Sequence, residues 1–215
     1  MSSAAAPPRG FDLQAARRAL ARRDPRLAAA MRRIGPLDIG ARWAEPFDTV
    51  DVLARAILHQ QLSGKAAATI VGRVEAAISA DRLHADTLQR IDDARLRACG
   101  VSAAKARALR DLCARAEAGE VADAPRLARM DSEAIVEQLS AVRGVGRWTV
   151  EMLLIFRLGR PDVLPLDDLG IRRGAQWLDG LDAAPGRRAL AERGEAWAPW
   201  RSLAALYLWR IADGG

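Results

Sequence analysis

Residues 139–150 read Leu-Ser-Ala-Val-Arg-Gly-Val-Gly-Arg-Trp-Thr-Val, and the fold turns on this stretch. An apolar helix ends near Ala141, and after five intervening residues another begins at Arg147. Gly144 and Gly146 flank Val145, and two glycines permit a sharp turn because neither has a Cβ to clash at an unusual φ. The amides that open the second helix point outward, and helix N-termini of this kind hold phosphate well. Val145 is expected to pack back between the helices, while Arg143 and Arg147 add positive charge beside the amides. The chemistry expected is a grip on one backbone phosphate that ignores base sequence. The competing reading is an ordinary helix hairpin closed by a glycine cap. The phosphate reading is preferred because Gly-Val-Gly-Arg-Trp-Thr-Val both follows a Leu-led helix and opens another.

Working outward, helical periodicity dominates and alternating strand patterns are almost absent. Expected helices span Phe11–Arg23, Pro25–Ile34, Phe47–Gln61, Ser63 towards Ala80, Ala94–Cys99, Ala103–Ala118, Ser132–Ala141 and Arg147–Phe156. The last ones cover about Leu169–Leu178, Arg187–Ala196 and Pro199–Ala212. Ser63, Ser102 and Asp131 are placed to cap their helices. Gly35 to Pro46 reads as a connector carrying Trp43. A weak echo links Leu96–Ser102 with Leu139–Gly146: both are helix, glycine turn, helix. The class expected is all-α, with a loose tail at 1–10 and one domain at 11–215. Its two lobes would be 47–165 and 11–46 plus 166–215.

Half of the 215 residues are hydrophobic and 28% are charged, enough for one large domain or two small lobes sharing a core and unlike a disordered composition. No apolar run approaches the roughly 20 residues a membrane helix requires, so no membrane partner is expected. Cys99 and Cys113 form no metal-binding cluster and read as buried free thiols of an intracellular protein. The formal net charge is +6, and only Lys65 and Lys105 are lysines among 33 basic residues. A GC-rich genome accounts for the arginines without function. Guanidinium forks also match phosphates, but net charge alone argues weakly for nucleic acid.

The second informative stretch is Asp162-Val163-Leu164-Pro165-Leu166-Asp167-Asp168-Leu169-Gly170, an apolar segment ending in two acids at a helix start. Asp168 follows Gly146 by 22 residues. An aspartate there can simply cap the helix, and Asp167 is expected to do this or to sit solvated beside it. Asp168 has a further chemical use. Cleavage of an N-glycosidic bond builds positive charge on the sugar, and a fixed anion steadies that charge or orients the attacking water.

Together these features resemble the helix-hairpin-helix, Gly/Pro-rich, aspartate (HhH-GPD) superfamily of DNA glycosylases, and within it the 3-methyladenine DNA glycosylase II (AlkA/Mag) type. The resemblance runs through Ala56-Ile57-Leu58-His59-Gln60-Gln61-Leu62-Ser63-Gly64-Lys65, then Gly144–Thr149, then Leu166–Gly170, then Trp197–Ser202 with Tyr207-Leu208-Trp209. It covers about residues 24 to 212. It implies a two-lobed helical fold with Asp168 as the catalytic carboxylate. It assigns the phosphate-binding hairpin to Val142, Arg143, Gly144, Val145, Gly146, Arg147 and Thr149. Trp148, Trp209 and Met152 would line the base pocket, and Gln61 or Leu62 would plug the gap left by the everted nucleotide. Bifunctional relatives carry a Schiff-base lysine where Trp148 stands, so base removal without strand cleavage is implied.

No cofactor, zinc or iron is expected, and the four cysteines of iron–sulfur relatives have no counterpart after Cys113. The extra N-terminal β domain of some relatives is expected to be missing, because the resemblance begins near residue 24. A monovalent cation on the carbonyls of Ser140, Val142 and Val145 is a feature of the superfamily that sequence cannot reveal. The implied partner is double-stranded DNA with damaged bases, met by a monomer in the nucleoid of a bacterial cytoplasm. Three other readings remain open: a non-catalytic hairpin DNA-binding protein, a glycosylase for oxidised or deaminated bases, and a helical protein–protein module.

Overall fold

The computed structural model describes residues 9–214. In chain order the helices are α1 (Leu13–Arg23), α2 (Pro25–Ile34), α3 (Gly40–Ala44), α4 (Thr49–His59), α5 (Gly64–Ile78), α6 (Ala85–Leu88) and α7 (Asp93–Ala98). There follow α8 (Ala103–Glu117), α9 (Ala124–Arg129), α10 (Ser132–Ser140), α11 (Arg147–Phe156), α12 (Leu169–Asp179), α13 (Arg187–Gly194) and α14 (Arg201–Gly214). A 3-10 turn, Glu195–Trp197, leads towards α14. No strand occurs among the described residues.

The chain encodes most of these helix starts with short polar caps. Asp12, Asp24, Asp48, Ser63, Asp92, Ser102, Asp123 and Asp131 each accept a first-turn amide, satisfying donors that would otherwise lack a partner. Sequence reading missed α3, α6 and α9, which are four to six residues long and too short to display a period. The expected connector thus contains a helical turn, and its Trp43 is buried and donates from Nε1 to the Ile155 carbonyl at 2.9 Å. Helix α7 begins one residue earlier than expected, because Asp92 supplies its cap.

Two compact units result. The first is Pro46–Val150. Its core joins Leu53, Ile57 and Leu58 of α4 to Leu109 and Leu112 of α8, with Val71 and Val74 of α5 and Leu96 of α7. The echo in the sequence is a structural one: Gly100 (φ +95°) and Gly144 (φ +78°) each turn the chain between two helices. The valine after each, Val101 and Val145, is buried.

The second unit comprises residues 9–45 and 151–214. The expected boundary at 165 therefore moves to 150, and polar anchoring explains why. Val163 N donates to Ser202 Oγ (2.9 Å), Ser202 N donates to the Pro161 carbonyl (3.0 Å), and Arg201 grips Asp162 with both arms (2.6 and 2.7 Å). These bonds tie 161–163 to the start of α14. Residues 1–8 of the expected tail lie outside the described residues. Gly10 N bonds to the Leu158 carbonyl at 3.3 Å and Arg9 Nη2 to the Glu45 carbonyl at 2.7 Å, so residues 9 and 10 belong to this unit.

A second anchor is Asp24, 4% exposed, which caps α2 through Leu27 N and accepts from Trp197 Nε1 (2.8 Å) and Arg193. Burial pushes this carboxyl up, but its donors outweigh burial and hold it below the ordinary range. Both cysteines are buried and unbridged, and burial lifts the Cys113 thiol to about 11.

The tightest packing in this unit is between α12 and α14. A Cβ on Gly174 would stand 2.1 Å from the Leu208 carbonyl oxygen, so the two backbones meet where only hydrogen fits. Gly174→Ala is expected to destabilise the protein by about 1–3 kcal/mol or more, the usual range for overpacking. Chemical denaturation measures this, and an unchanged midpoint would show that the helices can part freely.

Candidate functional site

In the first unit, α10 runs into a turn closed by Val142 N to the Leu139 carbonyl (3.2 Å) and Val145 N to the Val142 carbonyl (3.0 Å). Gly144 sits in the left-handed region, which removes the steric cost of the reversal. Val142 and Val145 are buried, whereas Arg143, Gly144, Gly146, Arg147 and Trp148 are exposed. Thr149 is buried, and its amide bonds back to the Gly146 carbonyl at 2.9 Å, starting α11. The geometry is a glycine turn delivering a helix N-terminus to the surface.

Two groups of this turn are already engaged within the unit. The Arg143 amide is engaged, donating to Asp111 Oδ2 at 2.7 Å. That bond, more than any other influence, holds the Asp111 carboxyl below its usual range. Arg147 pairs with Glu133 at 2.5 Å across an exposed surface. Exposed pairs of this kind contribute little to stability. The buried Ser140 hydroxyl has no hydrogen-bond partner, and the Val142 carbonyl retains a second lone pair.

The turn after α4 lies in the same unit. Gln61 adopts φ +55°, unusual for a residue with a Cβ, and its side chain is exposed. Leu62 is 40% exposed. Two supporting side-chain contacts escaped sequence reading. Gln60 Nε2 donates to the Gly144 carbonyl at 2.7 Å, and Lys105 Nζ donates to the carbonyls of Leu58 (2.8 Å) and Gln60 (2.9 Å). The one available signal was that Lys105 is one of two lysines in an arginine-rich chain. Trp148, at the start of α11, is 49% exposed.

In the second unit, Asp168 ends the apolar stretch and caps α12, its Oδ1 accepting from Ile171 N at 2.8 Å. The cap is thus Asp168 itself and not Asp167, which is exposed and pairs with Arg187 at 2.6 Å. The same Oδ1 accepts from Trp209 Nε1 at 2.9 Å. Trp209 stacks nearly parallel to Phe156, with centroids 5.8 Å apart. Gly170 makes room for this arrangement, since a Cβ there would lie 2.9 Å from Trp209 Cδ1 and 3.1 Å from Asp168 Oδ1. Gly170 and Gly174 form a small-residue stripe that sequence reading passed over. A cleft of about 680 Å³ borders Trp209 and Phe156, with Arg42 and Leu206 on its wall. Met152 is half-buried on α11. Among the described residues no group of three or more His, Cys, Asp or Glu side chains could hold a metal, and no helix is long and apolar enough to cross a membrane.

Residues 54–199 match the model of the HhH-GPD superfamily base excision DNA repair protein. The chain is 37% identical over 172 residues to DNA-3-methyladenine glycosylase 1 of Schizosaccharomyces pombe, covering 80% of this chain and 75% of that protein. Among solved structures it resembles a DNA-3-methyladenine glycosidase from Bacillus halodurans, with a TM-score of 0.83 and 35% identity over 93% of this chain and 89% of that one. It also resembles the Schizosaccharomyces pombe 3-methyladenine DNA glycosylase Mag1 in complex with abasic DNA. There the TM-score is 0.80 and the identity 33%, over 93% of this chain and 97% of that one. Sequence and fold agree, and the chain belongs to the HhH-GPD superfamily of base excision DNA repair proteins.

Proposed function

We propose that this chain is a monofunctional DNA glycosylase of base excision repair that hydrolyses the N-glycosidic bond of alkylated bases, of the 3-methyladenine and 7-methylguanine type. Its partner is DNA, and its working substrate is a damaged duplex met by a monomer in the nucleoid. The reading is carried by one observation in a chain of this family: Oδ1 of Asp168 accepts from both the Ile171 amide and the Trp209 indole.

A base within a duplex is out of reach, so the enzyme must extrude it. Extrusion requires a phosphate grip, a wedge and a surface that receives the base. The hairpin 142–147 with Thr149 is the grip, and its α11 N-terminus and arginines suit a phosphate of any sequence. Gln61, with Leu62 beside it, is the wedge. The Trp209 ring, backed by Phe156, offers an electron-rich face to a cationic alkylated purine, an attraction worth roughly 0.5–2 kcal/mol. Trp148 and Met152 are further candidates for contact with the base.

Alkylation makes the base a good leaving group, which reduces what the protein must supply. The departing base leaves a cationic deoxyribose. An aspartate oriented by the Ile171 amide and the Trp209 indole faces that charge without reorganising, or orients the attacking water. Without a lysine at position 148, the reaction ends at an abasic site.

The cap made by Asp168 favours one competitor, a DNA-binding protein in which this residue is purely structural. Asp168→Asn separates the two, because asparagine caps a helix as well as aspartate does but carries no charge. Base release from alkylated duplex is expected to fall by about 100-fold or more, with melting temperature and DNA affinity retained. Release at the wild-type rate would leave only the structural role. Gln61→Gly relieves the positive φ, so the melting point should hold or rise. Excision of a paired lesion should nevertheless drop roughly tenfold if the side chain is the wedge, and full activity would remove Gln61 from that role.

A further inference from the structure

One side of α8 carries three contacts that belong together. Lys105 reaches the carbonyls of Leu58 and Gln60, at the C-terminal end of α4 and in the turn that follows. One step along, Ala108 supports the hairpin: a Cβ placed on Gly144 would lie 3.4 Å from Ala108 Cβ. A further step along, Asp111 accepts from the Arg143 amide of the same hairpin. The two loops are also joined directly, Gln60 Nε2 to the Gly144 carbonyl at 2.7 Å.

Lys105 is costly to place for any local reason. It is the third residue of α8, where the helix dipole disfavours a cation. Burial draws its ammonium below the usual lysine range, and no carboxylate pairs with it among the described residues. Its head instead meets the negative end of α4, where carbonyls lack helical partners. A compact ammonium with three donors can converge on two carbonyls, whereas a planar guanidinium fork suits paired oxygens in one plane. That chemistry explains a lysine here in a chain that otherwise uses arginine almost throughout.

We propose that Lys105 and Gln60 are positioning residues that lock the turn at 60–62 to the hairpin at 142–146, so that phosphate capture and wedge insertion act as one rigid step. The proposal rests on the glycosylase reading, but its readout does not need catalysis. The probe is a duplex holding a tetrahydrofuran abasic analogue beside 2-aminopurine, whose fluorescence rises when the stack is parted. At saturating protein, Lys105→Met should reduce the wild-type rise at least threefold. Affinity for the duplex should change less than threefold, and Lys105→Arg should restore part of the signal. A full rise in Lys105→Met, or a loss explained wholly by weaker binding, would overturn the proposal.

Should Lys105→Met fail to fold by circular dichroism, Gln60→Ala decides, because it severs only the exposed bond to Gly144. It should lower the rise in the same way, and a wild-type rise would count against the lock. In parallel, wild-type protein is assayed for release of 3-methyladenine and 7-methylguanine from alkylated duplex. Absence of release defeats the glycosylase reading, and the fluorescence result still judges the lock.

Discussion

The closeness of α12 to α14 governs the chemistry proposed for the second unit. Gly174 lets the Leu208 backbone come nearer than any side chain would allow. The next residue, Trp209, then lies beside Gly170, with its indole nitrogen 2.9 Å from Asp168 Oδ1. Packing without a Cβ thus becomes the orientation of a carboxylate. The same oxygen accepts the Ile171 amide, so the helix start and the indole fix the group together. An aspartate held in this way need not be drawn from bulk solvent when a cation forms nearby, which is the advantage of preorganised charge.

The first unit follows another logic. Its two glycine turns, at Gly100 and Gly144, differ in what they present. Ser102 caps the helix after the first turn with its own side chain, consuming the amide of Lys105. The second has Gly146 at the matching place, so no side chain from that position closes the helix start. The same backbone motif can therefore be structural in one copy and ligand-binding in the other. Helix α8 links the second copy to the turn after α4 through Lys105, Ala108 and Asp111.

Much of this was legible in the sequence, for identifiable reasons. Helices with polar caps and an apolar period longer than two turns announce themselves, as α5, α8 and α10 do. The hairpin and Asp168 were visible because glycine spacing and an acid closing an apolar run are local patterns. Helices α3, α6 and α9 were hidden by their shortness, although Asp123 before Pro125 was a readable start. The boundary was misplaced because Ser202 and Arg201, some 40 residues downstream, are what hold 161–163. Lys105, Gln60 and the partnership of Trp209 with Asp168 depend on contacts distant in sequence, and no local pattern encodes them.

The claim most in need of measurement is that the Trp209 N–H orients Asp168. Trp209→Phe retains an aromatic ring against Phe156 and removes the donor. A hydrogen bond to a charged group is worth about 1.5–3 kcal/mol. Single-turnover base release from alkylated duplex should therefore slow by roughly 10- to 100-fold, with DNA affinity and melting temperature close to wild type. Release by Trp209→Phe at the wild-type rate would contradict the account, since the carboxylate would then owe nothing to the indole that touches it.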